Sequence, residues 1–222
     1  MIKIENYEVM GWDHAIRGMR NPMNSWDKSD SYWSYIEDEK TIETAKYQFF
    51  LGENDHELMI KLRNAGTDHR KFMRMIAVYV DITAPLYFLK EFDTYKIGTV
   101  ANSCSTMHKI AAKPFELSDF SHELLFSSSI DILEKTIDHL NACRDSYVYL
   151  KSIGKDNRQC WDQMIQLLPS SYNQKRTIML NYEVLANMYK SRKAHKLNEW
   201  VEFCKWIETL PYAKELICGD TE

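Results

Sequence analysis

The segment Lys96-Ile97-Gly98-Thr99-Val100-Ala101-Asn102-Ser103-Cys104-Ser105-Thr106 places small hydroxyl and amide side chains beside one cation. Such groups both donate and accept, and nearby backbone N–H groups can join them, so the stretch can hold an anion or the polar edge of a pyrimidine. The same composition suits a linker or a tight packing corner. Cys104 has the type of a nucleophile, but a thiol needs a base within reach, and only His108 lies near it in sequence. Downstream, Asn181, Asn187 and Arg192 offer two amides and a guanidinium. Their spacings of six and five residues turn roughly 240° and 140° around a helix, so they form no single stripe. Their structural roles would be an N-cap, a solvated side chain and a helix-end cation. A third set, Arg17 and Arg20, is carried at the start of the turn-rich stretch Gly18 to Ser31, which reads either as a self-capped surface loop or as a lid or phosphate-contacting segment.

Familiar catalytic constellations are missing. The sequence has no glycine-rich phosphate loop, no HExxH and no nucleophile elbow. Its seven His are scattered, with His108 and His122 the least constrained. Five Cys, an odd number with no CxxC pair, fit a reducing compartment and neither a zinc site nor a disulfide framework. No catalytic residue and no metal site are assigned.

These side chains need elements to carry them. Ile2 to Val9 alternates like a strand, and Gly11 to Met19 reads as a short helix. Asp55 to Ala65 is amphipathic and stops at Gly66. Met73 to Thr83 is β-branched and alternating, with its strand core over Met75 to Thr83. Ala84 to Tyr95 reads as a helix opening near Pro85. Ser129 to Ile153 is a long helix, and Asn157 to Leu168 a second one ended by Pro169. Arg176 to Leu180 is a short strand, Tyr182 to Arg192 and Asn198 to Leu210 are helices, and Gly219 to Glu222 is a frayed tail.

A chain of 222 residues is near the upper end of what one hydrophobic core serves, so residues 1–222 read as one domain. With 45% hydrophobic and 27% charged residues it has an ordinary globular composition. A net charge of −4 in mixed order leaves no cationic face for duplex nucleic acid. No basic segment with a long apolar run opens the chain, and no stretch nears the roughly 20 apolar residues of a membrane helix. The expectation is a cytoplasmic α+β domain, a small mixed or antiparallel sheet flanked by long helices.

Leu168-Pro169, then Asn181, Leu185, Asn187 and Arg192, match without a gap the C-terminal signature of the flavin-dependent thymidylate synthases, which this chain resembles. The resemblance extends from about Gly66 to Trp200 through Gly66, His69, the strand Ile76 to Ile82, Ala84-Pro85, Asn102 and Ser105. It implies a thymidylate synthase-complementing-protein-like fold, a homotetramer with shared sites, FAD as cofactor and a dUMP-like pyrimidine nucleotide as the methylated substrate. By that resemblance His69, Lys96, Asn181 and Asn187 would face the cofactor, and Asn102, Ser103, Ser105 and Arg192 the substrate. The sequence departs from the family where phosphates are gripped. Thr94-Tyr95-Lys96 replaces Arg-His-Arg, Ser103 replaces Glu and Met107 replaces Arg. Phosphate binding would then fall to Arg17, Arg20, Arg70 or Arg74. The alternative is a catalytically inactive nucleotide-binding or protein-interaction module of phage or mobile-element type.

Overall fold

The computed structural model describes residues 2–36 and 46–219. Its centre is a four-stranded antiparallel sheet in the order β1-β4-β6-β5, formed by β1 (Lys3–Met10), β4 (Ala77–Pro85), β5 (Val100–Ser103) and β6 (Asn173–Asn181). Alternation in β4 sends Val78, Val80, Ile82 and Ala84 inward and leaves Tyr79, Asp81 and Thr83 on the other face. In β6, Ile178 and Leu180 follow the same rule opposite Val80 and Val78.

Three helices carry the residues that cover the inner face. They are α3 (Leu86–Phe92), α7 (Tyr182–Arg192) and α8 (Asn198–Glu208). Phe88, Tyr182, Leu185, Met188, Trp200 and Phe203 are fully buried in this core. Burying a large apolar side chain contributes about 1.5–3 kcal/mol, so this aromatic layer dominates the packing. The Trp200 ring lies 4.7 Å from that of Phe88 and stacks on Phe92 at 6.0 Å.

Around this core lie α1 (Trp12–Arg20), a two-stranded hairpin of β2 (Tyr32–Ile36) and β3 (Lys46–Phe50), and α2 (Glu53–Asn64). Gly11 joins β1 to α1 at a φ of +92°, where a Cβ would lie 2.2 Å from the Met75 carbonyl oxygen. No residue with a side chain fits there without moving backbone. A short α4 (Thr106–Lys109) precedes α5 (Ser127–Ser152) and α6 (Arg158–Leu167). These two helices build a second cluster, with Leu133, Ile137, Leu140 and Met164 around Phe115 and Phe120.

The antiparallel α+β architecture is the expected one, with particular differences. The polar Val100–Ser103 is an edge strand whose residues are all exposed, so no buried alternation announces it. Residues Arg70–Met75 wind as a 3-10 helix, which delays β4 to Ala77. Strand β6 runs from Asn173 rather than Arg176. The β2–β3 hairpin is an addition to the expected elements; its aromatic residues stack in cross-strand pairs, Tyr32 on Phe50 and Trp33 on Tyr47. Helix α5 packs with α6 in the second cluster, while α7 lies in the main core. Residues 220–222 of the expected tail lie outside the described residues. No described helix is long and apolar enough to cross a membrane.

Candidate functional site

Helix α7 is the natural organiser, because three of the singled-out side chains sit on it. Asn181 is its N-cap, accepting the Val184 N–H on Oδ1 at 3.0 Å. The next five residues are buried, and Asn187 is exposed. The chain after α3 crosses this N-terminus at Gly98, whose φ is +79°. A Cβ there would sit 2.9 Å from Asn181 Nδ2 and 3.0 Å from Val184 Cγ2.

From that crossing the chain enters β5, where Val100 pairs with Met179, Asn102 with Thr177 and Ser103 with Arg176. Lys96, Asn102 and Ser103 are exposed along this path. Lys96, Asn181 and β5 therefore form one band along the chain, on which the neighbouring Asn102 and Ser103 point to opposite faces, Asn102 with Thr177 and Ser103 with Arg176. Ser105 lies just beyond, its Oγ accepting the His108 N–H at 3.2 Å as the cap of α4. The exposed Cys104 gives its N–H to the Lys175 carbonyl.

At the outer-face end of the band, the Asp81 carboxylate accepts from Thr177 Oγ1 at 2.7 Å and Asn6 Nδ2 at 3.1 Å, and pairs with Lys175 at 3.1 Å. These partners, Thr177 foremost, hold its pKa down at about 2. A fixed anion opposes a phosphate there, so the positive end of the band is Lys96.

The other expected residues are placed elsewhere. Arg192 ends α7 with Nε donating to Tyr95 Oη at 3.0 Å and Nη1 to Glu91 Oε2 at 3.0 Å. Its guanidinium lies 4.9 Å from the Trp200 ring centroid. Glu91 Oε2 also accepts from Trp200 Nε1 at 3.1 Å and faces His195 Nε2 at 3.5 Å. With its side chain 21% exposed, Arg192 is a half-buried partner of Glu91 rather than a bare helix-end cation. Asn187 accepts from Arg70 Nη2 at 3.2 Å, and the exposed His69 immediately precedes that arginine. Asn187 thus lies beside Arg70, one turn of α7 beyond the Val184 that meets Gly98.

Sequence reasoning missed Glu183, which is 8% exposed. It accepts from Arg70 Nε at 3.4 Å, from Arg74 Nη2 at 3.3 Å and from Arg74 Nε. Arg70 and Arg74, candidates for phosphate binding, are therefore tied to a carboxylate. Arg20 is tied as well, with Nε donating to Asp55 Oδ1 at 2.6 Å. Asp55 Oδ2 further accepts from both Ser29 Oγ and Ser31 Oγ at 2.7 Å and from the N–H groups of Asp30 and Ser31. Burial pushes the Asp55 carboxyl up, but hydrogen bonds from Ser31, Ser29 and Arg20 and the Arg20 charge outweigh it and hold the group below its ordinary value. The only warning in sequence was the density of Ser and Asp between Ser25 and Ser31. Of the four arginines proposed for phosphates, Arg17 alone has no partner among the described residues.

No protein-family model matches the chain, and no curated protein matches its sequence. Solved structures do match. Thymidylate synthase X (ThyX) from Helicobacter pylori, crystallised with FAD and dUMP, superposes with a TM-score of 0.62 at 18% identity over 99% of both chains. The chain has the ThyX fold. A second Helicobacter pylori structure, the flavin-dependent ThyX complexed with FAD and dUMP, gives 0.61 at 17% identity over 97% of both chains. Identity this low speaks to the fold alone, and ligands must be argued from the side chains.

Proposed function

We propose that this chain binds a pyrimidine nucleotide along the band from Lys96 past Asn181 to Asn102 and Ser103, as a divergent flavin-dependent thymidylate synthase-like protein. The observation that carries the reading is the crossing of Gly98 over Asn181 in a fold whose crystallised representatives hold FAD and dUMP. Asn181 Nδ2 and Asn102 suit a base edge, the Ser103 hydroxyl is the donor on the other face of β5, Lys96 suits one phosphate, and Ser105 supports the turn beyond.

FAD, which supplies hydride-transfer chemistry when bound, would be held by His69, Lys96, Asn181 and Asn187. The side chains fit a ring and its amide edges better than a pyrophosphate. Lys96 is exposed, whereas Arg70 and Arg74 are committed to Glu183 and Arg192 to Glu91. This shortage of free cations favours a second reading, a module of phage or mobile-element type that binds nucleotide without methylating it. The synthase-like reading goes with a cytoplasmic homotetramer, which light scattering tests by returning four times the 26.3 kDa chain mass.

The deciding experiment is calorimetric titration of purified protein with dUMP, with FAD and with both, on wild type and Lys96→Met. Losing one charge-assisted phosphate contact should weaken dUMP about ten-fold with the melting temperature unchanged. Equal affinity in the two proteins, or no binding to either, defeats the reading. Flavin absorbance after purification supports the synthase-like form, and dUMP binding without it the inactive module.

A further inference from the structure

A cleft of about 290 Å³ lies between α1 and the β2–β3 hairpin, well away in sequence from the band on α7. Its apolar walls are Ile16, Trp26, Trp33 and Phe49. Both indoles are half in solvent, Trp26 at 51% and Trp33 at 41% exposure. They are also fixed in place, since Trp33 Nε1 donates to Asp13 Oδ2 at 3.1 Å and Trp26 Nε1 to Asn21 Oδ1 at 2.8 Å.

The polar groups of the cleft are spent on the protein itself, with one exception. Ser29 and Ser31 give their hydroxyls to Asp55. Arg20 gives Nε to Asp55 and Nη1 to the Ser25 carbonyl at 3.2 Å. Asp13 accepts from Trp33. Arg17 is exposed at the cleft and has no hydrogen-bond or ionic partner among the described residues. Asp13 lines the cleft one turn before Arg17 but is hydrogen-bonded to Trp33, so among the described residues the Arg17 guanidinium keeps its forked donors for a carboxylate or phosphate.

We propose that this cleft binds a small planar anion, one ring stacked between Trp26 and Trp33 with its carboxylate or monophosphate on Arg17. Its size is at the lower limit of the roughly 300–1,000 Å³ of ligand pockets, which admits a single ring system and not a dinucleotide. Indole faces stack on any aromatic ring, so the ring supplies affinity and Arg17 the choice of charge. Because the walls are held by internal hydrogen bonds, little ordering is needed on binding.

The test is quenching of tryptophan fluorescence by benzoate, by uridine 5′-monophosphate and by uncharged uracil. It is run on the full chain with Lys96→Met in the background, which weakens nucleotide binding on the α7 band about ten-fold, and the Arg17 variants then assign what quenching remains. Saturable quenching by at least one anion, with uracil at least ten-fold weaker, is expected. Arg17→Gln should abolish the preference for the anion, and Arg17→Lys should retain part of it, each with an unchanged melting temperature. Tighter benzoate identifies a carboxylate ligand and tighter nucleotide a phosphate ligand. Absence of saturable quenching by either anion, or quenching that Arg17→Gln leaves intact, overturns the proposal.

Discussion

Arg20 and Asp55 are 4% and 0% exposed, and each satisfies the other within a shell of serine hydroxyls and backbone N–H groups. A buried pair adds little compared with apolar residues, yet removing one member strands a charge and costs about 3–5 kcal/mol. Asp55→Ala should lose about that much in urea denaturation. The same pair sets an acid response. Because the folded carboxyl lies below its unfolded value of about 3.9, its stabilisation is complete above that pH and fades as pH falls through the lower folded value. Wild type should therefore lose stability below about pH 4 more steeply than Asp55→Asn, which urea midpoints from pH 5 to 2.5 would show. Arg192 is the second case. Arg192→Lys keeps a charge near Glu91 but loses the fork to Tyr95 and the stacking on Trp200. A loss of about 1–2 kcal/mol follows, and since about 1 kcal/mol moves Tm by roughly 2–4 °C in a chain of this size, calorimetry should find a drop of several degrees. An unchanged Tm would return Arg192 to the role of a free cation.

At the level of elements, the start of α7 and the loop over it act as one unit. Asn181 ends β6, caps α7 and presents Nδ2 to Gly98, so strand, helix and loop meet at one amide. Gly98 can occupy a left-handed φ of +79° and leave room for that amide, and an added methyl satisfies neither requirement. Gly98→Ala should cost about 1–2 kcal/mol from the backbone term alone and weaken dUMP more than Lys96→Met does, because it displaces Asn181. Thermal melts with and without dUMP separate the two effects. If stability falls while affinity holds, Asn181 does not touch the nucleotide.

The whole molecule contains two hydrophobic clusters of unequal size. The larger joins the sheet's inner face to α1, α3, α7 and α8, whereas the smaller has seven buried residues under α5, α6 and the 110–120 segment. Much of α5 faces solvent, with Ile132 at 66% and Tyr149 at 64% exposure. Local opening is governed by how much apolar surface a unit buries, so α5 and α6 should open at lower free energy than β4 and β6. Native-state hydrogen exchange should rank their amides in that order. Equal opening free energies would mean that the two clusters unfold together.

Periodicity and local chemistry encode those parts of the fold whose causes lie within a few residues. Alternation in Val78, Val80 and Ile82 predicts a buried strand, and the stop at Pro169 and the Asn181 cap bound their helices for reasons that lie within a few residues. The order of elements, together with the Asn181, Asn187 and Arg192 frame, points to the fold that the chain shares with solved ThyX structures. Tertiary structure alone decided which charges are free. Glu183 is 109 residues from Arg74, Glu91 is 101 from Arg192 and Asp55 is 35 from Arg20, so no local pattern reveals that those arginines are tied to carboxylates. It also decided that exposed, polar Val100–Ser103 closes the sheet, because edge strands have no burial to enforce alternation. The cleft beside Arg17 has the same origin, since its walls come from a helix, a turn and a hairpin that only folding brings face to face.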